Sequence, residues 1–192
     1  MCWARHVANS TSPLLAVLLS STACDAPATA PAPEDWPRTR ACEDLDDWPS
    51  DWAALEDAAA MHLRDLRSEV IDCRERGKLG PNPALQRRTA LDCAARMHAL
   101  DMAEQDYFGR FDPDDASERE RVEAAGYSPS VVIQHIAAGP RDATELLDRT
   151  WMPRPVPCSD LANPALEELG IGHVGDLDGD FATLWVVVLA SP

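Results

Sequence analysis

Basic residues are scarce in this chain. Lys and Arg number 17 against 33 Asp and Glu, which leaves a formal charge of −16. That excess speaks against nucleic acid and against an anionic membrane surface as electrostatic partners. Aromatic residues are few, with only two Tyr and three Phe. The apolar run PLLAVLL at residues 13–19 falls well short of the ~20 residues that cross a bilayer as a helix. No CxxC pair, no GxSxG elbow and no internal repeat occurs. Those absences remove the usual signs of a thiolate zinc site, an α/β-hydrolase nucleophile and a solenoid. The 192 residues suffice for one respectable core and leave no room for two ordinary domains beyond the N-terminal segment.

What is there begins with an export signal. Arg5 and His6 give residues 1–23 a weakly positive start, and the PLLAVLL core is followed by the small residues SSTA. Small residues just before Cys24 resemble a bacterial lipoprotein signal, in which that Cys is lipidated and becomes the new N-terminus. Ordinary cleavage nearby would instead release a free secreted protein. Residues 24–40, rich in Ala and Pro, read as a tether. Residues 41–51 read as an N-terminal flap, with Cys42 among the neighbouring Trp36, Trp48 and Trp52. Four cysteines remain in the folded part: Cys42, Cys73, Cys93 and Cys158. An even number at wide spacing in an oxidising compartment predicts two disulfides, with three pairings open.

Residues 91–111, LDCAARMHALDMAEQDYFGRF, form the organising stretch. Leu91, Ala94, Ala95, His98, Met102 and Ala103 fall on one helical stripe. Asp92, Arg96 and Glu104 read as the solvated face, and Tyr107, Phe108 and Phe111 follow as an aromatic wall beside Arg110. The spacing predicts a helix over 51–74 capped by Asp51, and a start for the central helix near Leu85. A short helix through Val122–Ala125 is expected to stop at Gly126, with Asp114, Asp115 and Ser117 as possible caps. Residues 131–138 fit helix or strand. Residues 141–152 are amphipathic, and the three prolines that follow preclude continuation of that helix. Residues 169–174 and 181–190 read as strands, and LWVVVLA, apolar on both faces, as a central strand covered by helices. Helices first and strands late predict an α+β domain layered as αβα, over residues 52–192.

The order of motifs resembles the CAP superfamily, the cysteine-rich secretory, antigen 5 and pathogenesis-related proteins, in its bacterial SCP-like form. The residues that carry this are LDCAARMHALDMAEQDYF, RVEAAGY, IQHIAAG, TWMPRPVPC, LGIG and LWVVVLA, in that order. The resemblance implies a three-layer αβα sandwich with a mostly antiparallel sheet and a central cleft. It also implies a cleft set of two His and acidic residues able to bind a divalent metal. Here the first His position holds Arg110. The Glu and Asn of a glutamate-asparagine-isoleucine motif fall on Gln134 and His135, and the second His falls at about Pro157. A guanidinium has no lone pair for a metal, so the expectation is no metal and no cofactor.

Other chemistry is thin. His98 reads as a packing residue of the central helix, His135 as a cleft residue, and His62 as a helix-surface residue. His173 reads as solvent-side as readily as site-lining. Ser128, Ser130 and Ser159 lie in loops without a nucleophile motif. The neighbouring carboxylates Asp114 and Asp115, or Glu167 and Glu168, read as solvated charge. Asp176, Asp178 and Asp180 in GDLDGD read as a tight turn, because the Glu an EF-hand needs farther on is missing. The resulting expectation is a monomeric, lipid-anchored or secreted envelope domain with no catalytic residues. Arg110, Gln134, His135 and Trp151 would line a cleft that binds an unknown envelope ligand or protein. Two alternatives stand beside it: a hydrolase or protease-like enzyme on envelope polymers or peptides, and a structural protein whose cleft is closed by the segment holding Trp36 to Trp52.

Overall fold

The structure is a computed structural model that describes residues 39–45, 47–175 and 181–192. The export signal, Cys24, Trp36, nearly all of the tether and the acidic turn with Asp176, Asp178 and Asp180 lie outside these residues. A 3-10 helix, Arg40–Leu45, leads into helix α1, Ser50–Arg67. Strands β1, Ile71–Asp72, and β2, Lys78–Leu79, form a small antiparallel ribbon. Strand β3, Gln86–Arg87, precedes the central helix α2, Thr89–Glu104. Helix α3, Glu118–Ala124, and strand β4, Val131–Ala138, follow. A π-helix, Glu145–Trp151, and helix α4, Pro155–Leu161, lead to strands β5, Glu168–Gly175, and β6, Thr183–Ser191.

The main sheet has the order β3-β5-β6-β4. Its long pairs, β5 with β6 and β6 with β4, are antiparallel, and only the short β3 runs parallel to β5. Every residue of β5 and all but the last of β6 are buried, as a strand apolar on both faces requires. One face packs Val174, Leu184, Val186 and Val188 against Leu91, Ala95 and Met102 of α2. The other packs Ile171, Trp185, Val187 and Leu189 against Ala59 and Leu63 of α1, the π-helix residues Leu146 and Trp151, and Leu161 of α4. This is the expected αβα sandwich. Residues 131–138 resolve as strand, because β6 supplies a full-length partner.

The pairings left open by the sequence are Cys42–Cys93 and Cys73–Cys158. The first ties the N-terminal flap to α2, and the second ties the β1 end to α4. The flap residues Cys42, Leu45 and Trp48 are buried in the same core as α2.

Several expectations shift. Helix α1 begins at Ser50 after Pro49 and ends at Arg67, so Asp51 is a first-turn residue and Val70 lies beyond the helix, 57% exposed. Its end is held by Arg67, 1% exposed. The Arg67 guanidinium donates to the carbonyls of Pro83, Leu161, Asn163 and Leu166, and burial lowers its pKa. Helix α2 starts at Thr89 rather than near Leu85, because Gln86 and Arg87 are drawn into pairing with Glu168 and Leu169. Helix α3 uses Ser117, one of the three candidate caps, in a reciprocal capping box with Glu120. The proline-rich segment forms α4, with Pro155 in its first turn, where a missing N–H costs nothing.

The largest correction concerns Asp92 and Arg96, which are buried rather than solvated. β3 pairs with only the first two residues of β5, which leaves the next N–H groups of that edge without a strand. Carboxylates take its place. Ile171 N–H donates to Asp92 Oδ1 at 2.9 Å and His173 N–H to Glu56 Oε1 at 3.0 Å. Arg96 binds Glu56 at 2.5 Å, Arg87 binds Asp92 at 2.8 Å and reaches Glu56 at 3.1 Å. Trp48 Nε1 donates to Glu56 at 3.0 Å, and the Arg96 guanidinium lies 5.1 Å from the Trp48 ring centre. Burial pushes both carboxyls upward, and the guanidiniums pull them back.

Two outcomes are expected. A Cβ on Gly172 would stand 2.4 Å from backbone atoms of Ala95 and Arg96, so Gly172→Ala should cost about 1–3 kcal/mol or more and lower the melting temperature. An unchanged melting temperature would show that α2 can retreat freely. Glu56→Gln removes the charge partner of buried Arg96 and should cost about 3–5 kcal/mol in urea denaturation, whereas exposed Glu43→Gln should stay within about 0.5 kcal/mol.

Candidate functional site

The four cleft candidates gather around β4, but not in one chamber. Side chains alternate along a strand, so Gln134 and His135 face opposite layers. Gln134 is 2% exposed and accepts from Arg121 Nη2 at 3.2 Å. His135 turns to the other face, where its Nε2 lies 3.1 Å from Asp160 Oδ2 and its ring 6.0 Å from Trp151. Trp151 is 1% exposed and belongs to the core. Arg110 is half-exposed in the loop after α2 and donates to Glu118 Oε1 at 2.6 Å.

Arg110 nonetheless acts on His135. Burial lowers the His135 pKa, Asp160 opposes that, and Arg110 and Arg154 lower it further. Two cations therefore stand within electrostatic reach of one neutral-leaning imidazole at the outer edge of β4. Arg154 and Asp160, both from the turn into and the body of α4, were not singled out from the sequence. The only sequence sign was that Arg154 lies within TWMPRPVPC, the proline-rich motif that carries the family resemblance, and Asp160 two residues beyond it.

Arg121, from the RVEAAGY motif, was also missed as a site residue. It donates to the carbonyls of Ala116 and Arg110, each at 2.6 Å, and so fixes the loop that presents Arg110. Burial lowers its pKa. Its Nε and the Gln134 Nε2 are buried without a hydrogen-bond partner. Arg121 also walls a cavity of about 170 Å³ with His98, Asp101, Asp112 and Met97. There His98 is fully buried, its Nε2 lies 2.9 Å from the Gly109 carbonyl oxygen, and Tyr107 donates to Asp101 at 2.5 Å.

A divalent metal does not fit this donor set. Where the resemblance implies imidazoles and carboxylates, the chain presents the Arg110 guanidinium, the Gln134 amide held by Arg121, and Pro157, which has no side-chain donor. Among the described residues no three His, Cys, Asp or Glu side chains converge as a metal-holding group. His173 is not a solvent-side residue: it is buried, stacked 4.1 Å from its cross-strand partner Trp185 and 6.3 Å from Trp52. Trp48 and Trp52 thus cover the β5 side of the sheet, opposite β4. The described part of the Trp36 to Trp52 segment does not close the cleft region. Ser130 Oγ donates to the Ser191 carbonyl and Ser159 Oγ to that of Val156.

His98 carries a pH dependence. Burial, aided by Arg121, lowers its pKa from 6.5 to about 4. An unfolded chain takes up that proton near pH 6.5 and the folded chain only near pH 4. Stability from this group is therefore complete above pH 6.5 and falls as the pH drops towards 4, by up to roughly 3 kcal/mol. NMR titration should find the His98 ring neutral at pH 5. An ordinary midpoint near 6.5 would contradict the account.

The family model for the cysteine-rich secretory protein family, CAP, matches residues 74–189. No curated protein matches the sequence. Among solved structures, an extracellular protein containing a SCP domain from Bacillus anthracis is similar at 20% identity and a TM-score of 0.57, over 75% of this chain and 44% of that one. An outer surface protein from Borrelia burgdorferi is similar at 14% identity and a TM-score of 0.56, over 69% of this chain and 88% of that one. A cysteine-rich secretory protein from Staphylococcus aureus is similar at 14% identity and a TM-score of 0.53, over 73% of this chain and 39% of that one. The chain spans less than half the length of the Bacillus and Staphylococcus proteins, and at these identities the likeness is one of fold. The family model covers more than half of the 192 residues, from the turn after β1 to the last strand, and the chain belongs to the cysteine-rich secretory protein (CAP) family.

Proposed function

We propose that this CAP domain works outside the cytoplasm as a ligand-binding module without catalysis, carried on the cell envelope by a lipid on Cys24. Export is supported by the signal-like residues 1–23 and by two disulfides, which persist in oxidising compartments. The descriptions of the Bacillus and Borrelia proteins as extracellular and outer surface agree with it. The ligand contacts the outer edge of β4, where Arg110 and the His135–Asp160 pair are the accessible polar groups, joined by Arg154.

One observation carries the reading. The polar groups that stand in the family's cleft motifs are each committed to a neighbour: Arg110 to Glu118, Gln134 to Arg121, and His135 to Asp160. Such pairs hold a recognition surface in place but offer no activated nucleophile. Ser159, next to Asp160, spends its hydroxyl on a backbone carbonyl. Guanidiniums within electrostatic reach of an imidazole suit a carboxylate, a phosphate or a sugar hydroxyl.

Titration with acetate, inorganic phosphate and N-acetylglucosamine, followed by NMR, should shift the signals of His135 and Arg110 for at least one of them. Arg110→Ala should then weaken binding about tenfold, the worth of one charge-assisted hydrogen bond. Unchanged affinity removes Arg110 from the site. Stoichiometric zinc retained by the purified chain at neutral pH would return the enzyme reading.

A further inference from the structure

A groove of about 410 Å³ lies between the end of α1, β1 and the end of the π-helix, lined by none of the residues assigned to the β4 site. Its floor is apolar: Leu66, Val70, Ile71 and Met152. Val70 is 57% exposed, a β-branched side chain offered to solvent. Its rim is acidic, and the carboxylates come from all three elements: Asp65 and Glu69 from α1 and the turn after it, Asp72 from β1, and Asp148 from the π-helix. No Lys or Arg lines it. His62 reaches Asp148 at 2.9 Å across the gap between α1 and the π-helix. Arg64 touches Asp65 at 3.4 Å, but both side chains are largely exposed, so that pair holds the carboxylate only weakly.

We propose that this groove docks a cationic, amphipathic peptide segment of a partner protein, with aliphatic side chains on the floor and Lys or Arg on the rim. The floor and the rim make separate demands. A purely ionic ligand would leave Leu66, Val70, Ile71 and Met152 in water, and a purely apolar one would desolvate four carboxylates without compensation. A dication would need those carboxylates to converge, whereas Asp148 is turned to His62 and Asp72 accepts the Arg74 N–H at 2.9 Å. A basic segment with apolar residues between its charges meets both demands, and the charge of −16 steers it in.

The test titrates the full chain with a fluorescent 12-residue Lys/Leu peptide of amphipathic helical pattern, at 20 and 300 mM NaCl. Binding should be saturable and weaker at the higher salt. Asp65→Asn with Glu69→Gln should reduce affinity about tenfold, and Val70→Asn about threefold. The pair Glu43→Gln with Glu104→Gln makes the same charge change on exposed residues outside the groove and should alter affinity less than twofold. Arg110→Ala should leave it unchanged, which separates this surface from the β4 site. Equal losses in the two charge pairs would reduce the effect to the overall field and overturn the proposal. A Lys/Ser peptide of the same charge that binds as well as Lys/Leu would also overturn it.

Discussion

Strand β5 loses its neighbour after two residues, and the N–H groups of Ile171 and His173 must find acceptors elsewhere in the interior. A buried N–H without an acceptor costs as much as a lost hydrogen bond. The chain answers with Asp92 from α2 and Glu56 from α1, one from each helical layer. Those carboxylates then require cations, and Arg87 and Arg96 supply them. The consequence is architectural. The two layers are joined around the sheet edge by a polar seam, and Trp48 of the N-terminal flap completes it by donating to Glu56. The Cys42–Cys93 bridge holds that flap against α2.

The layered fold was legible from the sequence because its signals are local and redundant. The β-branched run of β6, the small-residue stripe of α2 and the punctuating Gly and Pro agree with one another. The seam was illegible for the same reason. Asp92 and Arg96 lie four residues apart on a helix, the usual spacing of a solvated ion pair. Nothing local shows that a strand edge 79 residues away needs Asp92 as an acceptor. Helix boundaries moved for the same kind of cause. Gln86 and Arg87 have no strong strand character, and pairing with Glu168 and Leu169 makes them a strand.

The β4 region was half legible. Alignment of motifs located Arg110, Gln134 and His135, and the alternation of a strand then separates the last two. Their partners were the hidden part: Arg121 for the amide and Asp160 for the imidazole come from α3 and α4, and neither lies next in sequence to the residue it holds. The three residues are therefore each held in a pair: Arg110 with Glu118, Gln134 with Arg121, and His135 with Asp160. Arg121 joins two roles, since it holds Gln134 and also anchors the loop that carries Arg110.

The glycines of LGIG have a reach beyond packing. Gly170 and Gly172 bring the backbone of α2 so close to β5 that a methyl group would stand 2.1 to 2.4 Å from helix atoms. Helix and strand touch there main chain to main chain, with no layer of side chains between them. Such a contact has no give and no interior volume. No guest can enter between Gly170 or Gly172 and the Leu91 to Arg96 turns of α2, and the space this layer does hold lies on the side of α2 turned to α3, beside His98 and Arg121.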